Sequence, residues 1–340
     1  MAIERSTAQR YRDFGVIEAR GQSPVFEEWA LGVAGDPGIV ALIDELPLQK
    51  RQPNLVFAAA RLLGSPIGGY PAFRAWLSAN WPAVAFEAER RMTQTNEPRR
   101  CAALLPALAR LDGPLALLEL GASAGLCLYP DRYSYRYGDG DWLHPASGPS
   151  TVTIETALSG STGETLERAD TAHWIPHELP GIAWRAGIDL HPLDVRDDED
   201  VCWLETLVWP EQEERLARIR AAIAIVRENP PTLFRGDALD RLEDVAATRP
   251  TGTTLVVVTS AMLVYVPYLQ RMRLVDAIRR LDAHWVSLDG VGVLPDVDAR
   301  HPSPQRGRFT LSIDGEPLAD VGPHGQFVEW IGPASANRAP

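Results

Sequence analysis

The sequence predicts an α/β protein: a doubly wound, mostly parallel sheet with an all-helical N-terminal region ahead of it and a β insertion within it. Three observations predict this. No run before residue 114 has the length or alternation of a strand. From Pro114 onward, short apolar runs alternate with helical patterns, as in a sheet wound by crossover helices. The first of those runs ends in a glycine turn, Gly121-Ala122-Ser123-Ala124-Gly125. The division expected is residues 1–112 as a helical lid or cap and 113–340 as the sheet domain, with the insertion at about 131–180.

The N-terminal region reads as helices punctuated by Pro and Gly. SPVFEEWALGVAGDP opens with a Ser cap followed by Pro, carries acids in its first turn, and stops near Gly35 and Pro37. GIVALIDELP, QPNLVFAAARLLG and YPAFRAWLSANW repeat the apolar spacing of helices, and EPRRCAALLPALARLDG adds another with a kink at Pro106.

Beyond it, PLALLEL is a continuous apolar run of the kind found in buried parallel strands. A brief helical stretch follows the glycine turn and must end at Pro130. YSYRYGDG and TVTIETALSG alternate at period two and suggest an antiparallel insertion. IAWRAGIDL and PTLFRGD are further strands, and EQEERLARIRAAIAIVRENP is the clearest amphipathic helix. TTLVVVTSAMLVYV reads as one long buried strand and LVDAIRRLDA as a helix. HWVSLDG is another strand, and FTLSIDGEPLA with QFVEWIG forms a closing hairpin. No internal repeat or low-complexity tract is present.

Composition narrows the function classes. A formal charge of -12 argues against a broad basic face for nucleic acid. Three dispersed cysteines fit neither a disulfide framework nor a metal pattern. The segment MAIERSTAQRYRDFG has charges where a signal peptide needs an apolar run, and no stretch approaches the roughly 18 apolar residues of a membrane span. A cytoplasmic protein with a small-molecule partner, and with no membrane or nucleic-acid partner, is the expectation; the oligomeric state is left open.

The glycine turn carries the chemistry. A strand ending in Glu119-Leu120 and turning through Gly121, Ala122, Ser123 and Gly125 brings backbone N–H groups close to a ligand, because glycine tolerates both the dihedrals and the approach. A following helix turn would add unpaired donors and a positive dipole end. In an enzyme using S-adenosylmethionine, the methionine portion lies there and the strand-end acid reaches its ammonium. Two more acids end successive strands: Asp189 in GIDLHP, placed to accept from ribose hydroxyls, and Asp237 in RGDAL, placed near the adenine amino group. Each alone reads more readily as a helix cap, and the coincidence of three acids at successive strand ends is what favours a ligand. Asp189 lies 70 positions beyond Glu119, against about 20 in a dinucleotide fold, and the insertion accounts for the excess. Asp139 has the conventional spacing and is the fallback.

Two other classes compete. G-x-S-x-G is also the nucleophile elbow of hydrolases, with Ser123 as nucleophile and Asp289 and His324 available later in the chain. Three features oppose it: the preceding region is helical, Leu126 is bulky where an elbow wants a small residue, and the best oxyanion-loop candidate, Gly68-Gly69, follows no strand. The third class is a non-catalytic adenosyl-ligand sensor or interaction protein.

The stretches KRQPNLVFAAARLLG, TNEPRRCAALLPALA, LLELGASAGLCLYPDRYSYRY, GIDLHPLDV, WLETLVWPEQ, RGDAL and VVVTSAMLVYV together resemble a bacterial family, domain of unknown function 2332. The resemblance implies a methyltransferase-like Rossmann domain behind a helical region, and implies no substrate. ELGASAG is also similar to the first motif of adenosylmethionine-dependent methyltransferases, with Ser123 where many have Gly. The Asn- or Asp-Pro-Pro signature of amino-group methylases is replaced by Thr259-Ser260-Ala261.

The remaining candidates are sparser. Tyr265, just past the fourth strand, is placed to touch a transferred methyl group, and Tyr265 or His284 could act as base where the acceptor loses a proton. Asn54, Asn96, Glu97 and Arg99 would face the acceptor if the helical region is a lid, and are otherwise caps. Trp203 and Trp209 are expected in the core. His173 and His177 have metal-ligand spacing, but Pro176 breaks the helix this would need and no third ligand is evident, so no metal is expected. The overall expectation is methyl transfer from S-adenosylmethionine to a small or medium organic acceptor.

Overall fold

The computed structural model describes residues 5–159 and 175–331. The chain forms two compact units, residues 1–95 with 194–220, and residues 96–193 with 221–340. This division differs from a cut at residue 112. The helix α6 (Arg100–Leu108) belongs with the sheet, because every one of its residues is buried and it packs on sheet strands.

The first unit is helical in all its described elements. Ser23 caps α2 (Pro24–Ala34) by accepting from the Phe26 N–H, and Gly35 ends that helix, as the sequence predicts. With α1 (Thr7–Asp13), α3 (Pro37–Ile43), α4 (Pro53–Leu62) and α5 (Tyr70–Arg90) it encloses an aromatic core. Trp29 stacks on Phe73 with ring centroids 3.8 Å apart, and Phe57 meets Tyr11, Phe26 and Trp29 edge-on. The segment from Asp194 closes this core from its own side through α7 (Asp198–Thr206): Trp203 is fully buried under the Arg91 guanidinium, and the Trp209 indole donates to Asn54. The amphipathic pattern from Glu213 forms α8 (Glu213–Glu228).

The second unit is built on one ten-stranded sheet. Its strands are β1 (Leu115–Leu120), β2 (Ser134–Tyr137), β3 (Thr153–Ser159), β4 (Ile182–Asp189), β5 (Thr232–Arg235), β6 (Thr254–Ser260), β7 (His284–Gly290), β8 (Phe309–Ile313), β9 (Glu316–Val321) and β10 (Phe327–Trp330). Their order is β2-β3-β10-β9-β8-β7-β6-β1-β4-β5. The run β5-β4-β1-β6-β7 is wholly parallel, and its apolar residues meet α9 (Ala238–Ala246), α10 (Tyr268–Arg280) and α11 (Pro295–Arg300) in one core. After an excursion to β2 and β3 at the far margin, the chain adds β4 and β5 on one side of β1, then returns to add β6 and β7 on the other. The carboxyl ends of β1 and β6 therefore mark the topological switch point, where open α/β sheets hold ligands.

Four expectations need correction. β2 and β3 pair in parallel, not antiparallel, and the link between them, residues 138–152, is long enough for a parallel return. β6 stops at Ser260, because Ala261 takes a left-handed φ of 57°, and the apolar LVY that follows is a single 3-10 turn. The closing hairpin is a meander, with β8, β9 and β10 antiparallel in sequence. The glycine turn is followed by single 3-10 turns at Leu126–Leu128 and Pro130–Arg132, with no α-helix, since Pro130 constrains Tyr129 and interrupts helical bonding.

Candidate functional site

The turn after β1 is shaped by three left-handed residues: Gly121 (φ 73°), Ser123 (φ 52°) and Gly125 (φ 73°). Gly121 is required twice over, because a Cβ there would also stand 2.7 Å from the Met262 Cβ of the neighbouring turn. Gly125 would likewise drive a Cβ to 2.8 Å from Pro231. Gly187, in β4, lies so close beneath the turn that its Cβ would reach 2.4 Å from that of Ala122.

The amides of this turn are engaged by the protein itself. Gly121 N–H donates to the Ile188 carbonyl at 2.8 Å, Ser123 N–H to the Asp189 carboxylate at 2.8 Å, and Gly125 N–H to the Ala122 carbonyl at 2.7 Å. Asn96 clamps the other side: its amide donates to the Ala122 carbonyl at 3.2 Å and its oxygen accepts the Leu126 N–H at 2.8 Å. Tyr133 fixes the Leu126 carbonyl at 2.6 Å. Ala122, Ser123 and Gly125 are buried. The expected row of open donors on a helix N-terminus is thus replaced by a turn whose Gly121, Ser123 and Gly125 amides are bonded within the protein.

The side chains tell a different story. Glu119 is 3% exposed at the end of β1, and its Oε2 has no hydrogen-bond partner. Burial pushes its carboxyl well above the usual range, the Cys127 thiol and Asp189 add to this, and the Arg100 guanidinium opposes it. Asp289, near the end of β7, is equally buried, with neither oxygen partnered at hydrogen-bond geometry. Its pKa is pushed up to about 7 by burial, against the pull of Arg100, the nearby Leu263 N–H, Arg271 and the Thr259 hydroxyl. The hydroxyls of Ser123 and Ser260 are buried without partners as well. Arg100 ties this edge together, donating to the Pro323 carbonyl at 3.0 Å and to the Ser260 carbonyl at 3.4 Å. Orphaned buried polar atoms are costly and rare, and their gathering at the carboxyl ends of β1, β6 and β7 marks this edge as the candidate site.

The other expected site residues divide sharply. Asp189 stands beside the turn, accepting the Ser123 and His191 N–H groups at 2.8 Å each. A carboxylate has about four acceptor positions, so two remain. Asp237 is an exposed N-cap of α9, holding the Leu239 N–H at 2.8 Å. Asp139 is exposed in the turn after β2, the strand at the opposite margin of the sheet from β4 and β5. His284 opens β7 and pairs with Asp314 at 2.8 Å, so it lies at the amino end of the strand, about 16 Å along it from Asp289 at ~3.3 Å per residue. That position excludes it as a base for this edge. Tyr265 is 69% exposed on the 3-10 turn after β6.

The four acceptor-side candidates do not converge. Asn54 is a partner of Trp209 within the first unit. Asn96 and Glu97 are buried behind the glycine turn, where the Glu97 carbonyl accepts the Cys127 thiol at 3.3 Å. Arg99 donates to the Glu155 carbonyl on β3 at 3.1 Å. The Ser123 hydroxyl has no hydrogen-bond partner, histidine included, so no triad is assembled around it. No group of three metal-ligating side chains occurs among the described residues; His173 lies outside them, and His177 is exposed. No described helix is long and apolar enough to cross a membrane. Arg100 and Ser260 were not singled out as site residues by the sequence; the only signal was the doubled arginine in EPRR.

Fold and site together define a mixed α/β protein whose large, mostly parallel sheet carries buried, unpartnered acids at its switch-point edge. The chain matches the DUF2332 model, described as an uncharacterized protein conserved in bacteria, over residues 8–330, and it belongs to that family. No curated protein and no solved structure matches it.

Proposed function

We propose that the carboxyl edge of β1, β4 and β6 binds S-adenosylmethionine and that the protein transfers its methyl group to a small or medium organic acceptor. The observation that carries this reading is Glu119: a buried carboxyl with an orphaned oxygen, at the end of the first parallel strand, beside a left-handed turn that β4 supports through Asp189. A ligand ammonium would supply the missing donor to Glu119, and the two unused acceptor positions of Asp189 suit a pair of ribose hydroxyls. The parallel order β5-β4-β1-β6-β7, with its switch point between β1 and β6, is the arrangement in which such a ligand lies across the strand ends.

The fit is uneven along the ligand. Glu119 and Asp189 offer unused acceptors, whereas the Gly121, Ser123 and Gly125 amides are already bonded and Asp237 is occupied as a cap. Binding therefore rests on carboxylates, and the Glu119 edge must be uncovered when ligand enters. When bound, the sulfonium supplies an already activated methyl group, so the protein's task is alignment and exclusion of water. The turn fixes position, with Gly121 set closely against Met262.

Photolabelling tests the reading. The protein is irradiated with methyl-labelled S-adenosylmethionine, and the labelled peptide is mapped. Label on peptides carrying Glu119–Gly125 or Asp189 supports the proposal; label elsewhere, or none that excess S-adenosylhomocysteine displaces, overturns it.

A further inference from the structure

A cavity lies at the other edge of the same sheet, by the amino ends of β4 and β5. It has a volume of about 360 Å³, within the range of small-ligand sites, and is lined among others by Tyr129, Asp131, Arg132, Arg185 and the Asn229-Pro230-Pro231 stretch. Its floor is rigid. Arg185 lies over the Tyr129 ring at 4.8 Å, donates to both oxygens of Asp131 at 2.7 and 2.5 Å, and donates to the Ile182 carbonyl at 3.2 Å. The Tyr129 hydroxyl donates to the Asn229 carbonyl at 2.5 Å, joining the two walls.

Charge and hydrogen bonding both point to what this cavity takes. Two guanidinium groups and one carboxylate line it, and that carboxylate is already engaged by Arg185, so the balance is cationic on a chain of net charge -12. The Arg185 Nε–H is buried with no acceptor. A buried donor on a charged group without a partner is costly, and it leaves the guanidinium at the cavity floor incompletely compensated. Arg132 is half-exposed and only loosely held, with its guanidinium 3.8 Å from Glu228 at the rim. Pro230, Pro231 and Ile182 add an apolar wall.

We propose that this cavity is a binding site for a small oxyanion, a carboxylate or a phosphate, held between the fixed Arg185 and the half-exposed Arg132, which exchanges its contact with Glu228 for the ligand. The site does not depend on the methyl-transfer reading. It has a structural link to the candidate site, since Pro231 of its wall is the residue that Gly125 packs against.

The test uses the full-length protein and two probes, inorganic phosphate and benzoate, titrated by calorimetry at fixed ionic strength. Saturable binding of at least one is expected, and the tighter probe identifies the anion class. Arg132→Gln should weaken it about ten-fold, the loss of one charge-assisted hydrogen bond at the low end of its range. Glu228→Gln, which removes the rim competitor, should tighten it about two- to five-fold. Both substitutions are at exposed positions and leave the core intact. Absence of saturable binding by either probe at millimolar concentration, or an affinity unchanged in Arg132→Gln, overturns the proposal.

Discussion

The Asp189 carboxylate at the end of β4 accepts the backbone N–H of Ser123 at 2.8 Å, so the acid placed for a nucleoside also braces the glycine turn of the neighbouring strand. Removing this carboxylate should act twice. Asp189→Ala is expected to lower the melting temperature by a few degrees, since a buried N–H loses a charged acceptor worth about 1.5–3 kcal/mol. It should also weaken adenosyl-ligand binding by at least ten-fold. Thermal denaturation and ligand titration on the same variant read the two effects separately.

Glu119 should show the opposite pairing. Its folded pKa is raised, so ionisation of the buried acid opposes folding wherever the unfolded chain is charged. Glu119→Gln is therefore expected to stabilise the unliganded protein at neutral pH while weakening ligand binding by about ten-fold or more. A variant with a higher melting temperature and intact affinity would remove Glu119 from the site.

Asp289 gives a pH dependence of defined sign. With its pKa raised from 3.8 to about 7, the folded state holds more protons than the unfolded state between those values. Stability from this group is full below the unfolded pKa and falls as pH rises toward 7, by on the order of a few kcal/mol. Asp289→Asn should flatten that fall and raise the melting temperature at pH 8 relative to wild type. Paired melts at pH 5 and pH 8 check it; a variant destabilised at pH 8 would show that the charge is satisfied after all.

Gly187 tests the packing beneath the turn. A Cβ there would lie 2.4 Å from Ala122 and 2.8 Å from Leu233, and the backbone of β4 is held on both sides by β1 and β5. Gly187→Ala is expected to cost about 1–3 kcal/mol by overpacking, measured by chemical denaturation. Ser123→Ala, by contrast, removes a hydroxyl with no hydrogen bond and should leave stability and ligand affinity near wild type. Loss of a hydrolytic activity in that variant would restore the elbow reading.

What the sequence made legible follows from how locally each feature is encoded. PLALLEL and its turn need only a buried apolar run, a terminal acid and glycines where Cβ atoms would collide, so β1, Gly121 and Gly125 were readable directly. Alternation in YSYRY and TVTIETALS reports which side chains are buried and says nothing of strand direction, which the long link decides; the parallel pairing was therefore hidden. The end of β6 was hidden for a similar reason: LVYVPYL continues the apolar run, while a single left-handed residue, Ala261, ends the strand. Arg100 reaches the end of β6 from α6, and Asn96 reaches the turn from the segment before that helix, through contacts that no spacing rule encodes. Asp237 had the right type and the right strand end, and its local cap bond prevailed.

Isothermal titration of the full-length protein with S-adenosylhomocysteine bears most directly on the switch-point site. One saturable heat per chain is expected, lost or much reduced in Glu119→Gln and Asp189→Ala. No heat and no thermal shift at millimolar ligand, or binding that neither substitution alters, would contradict it.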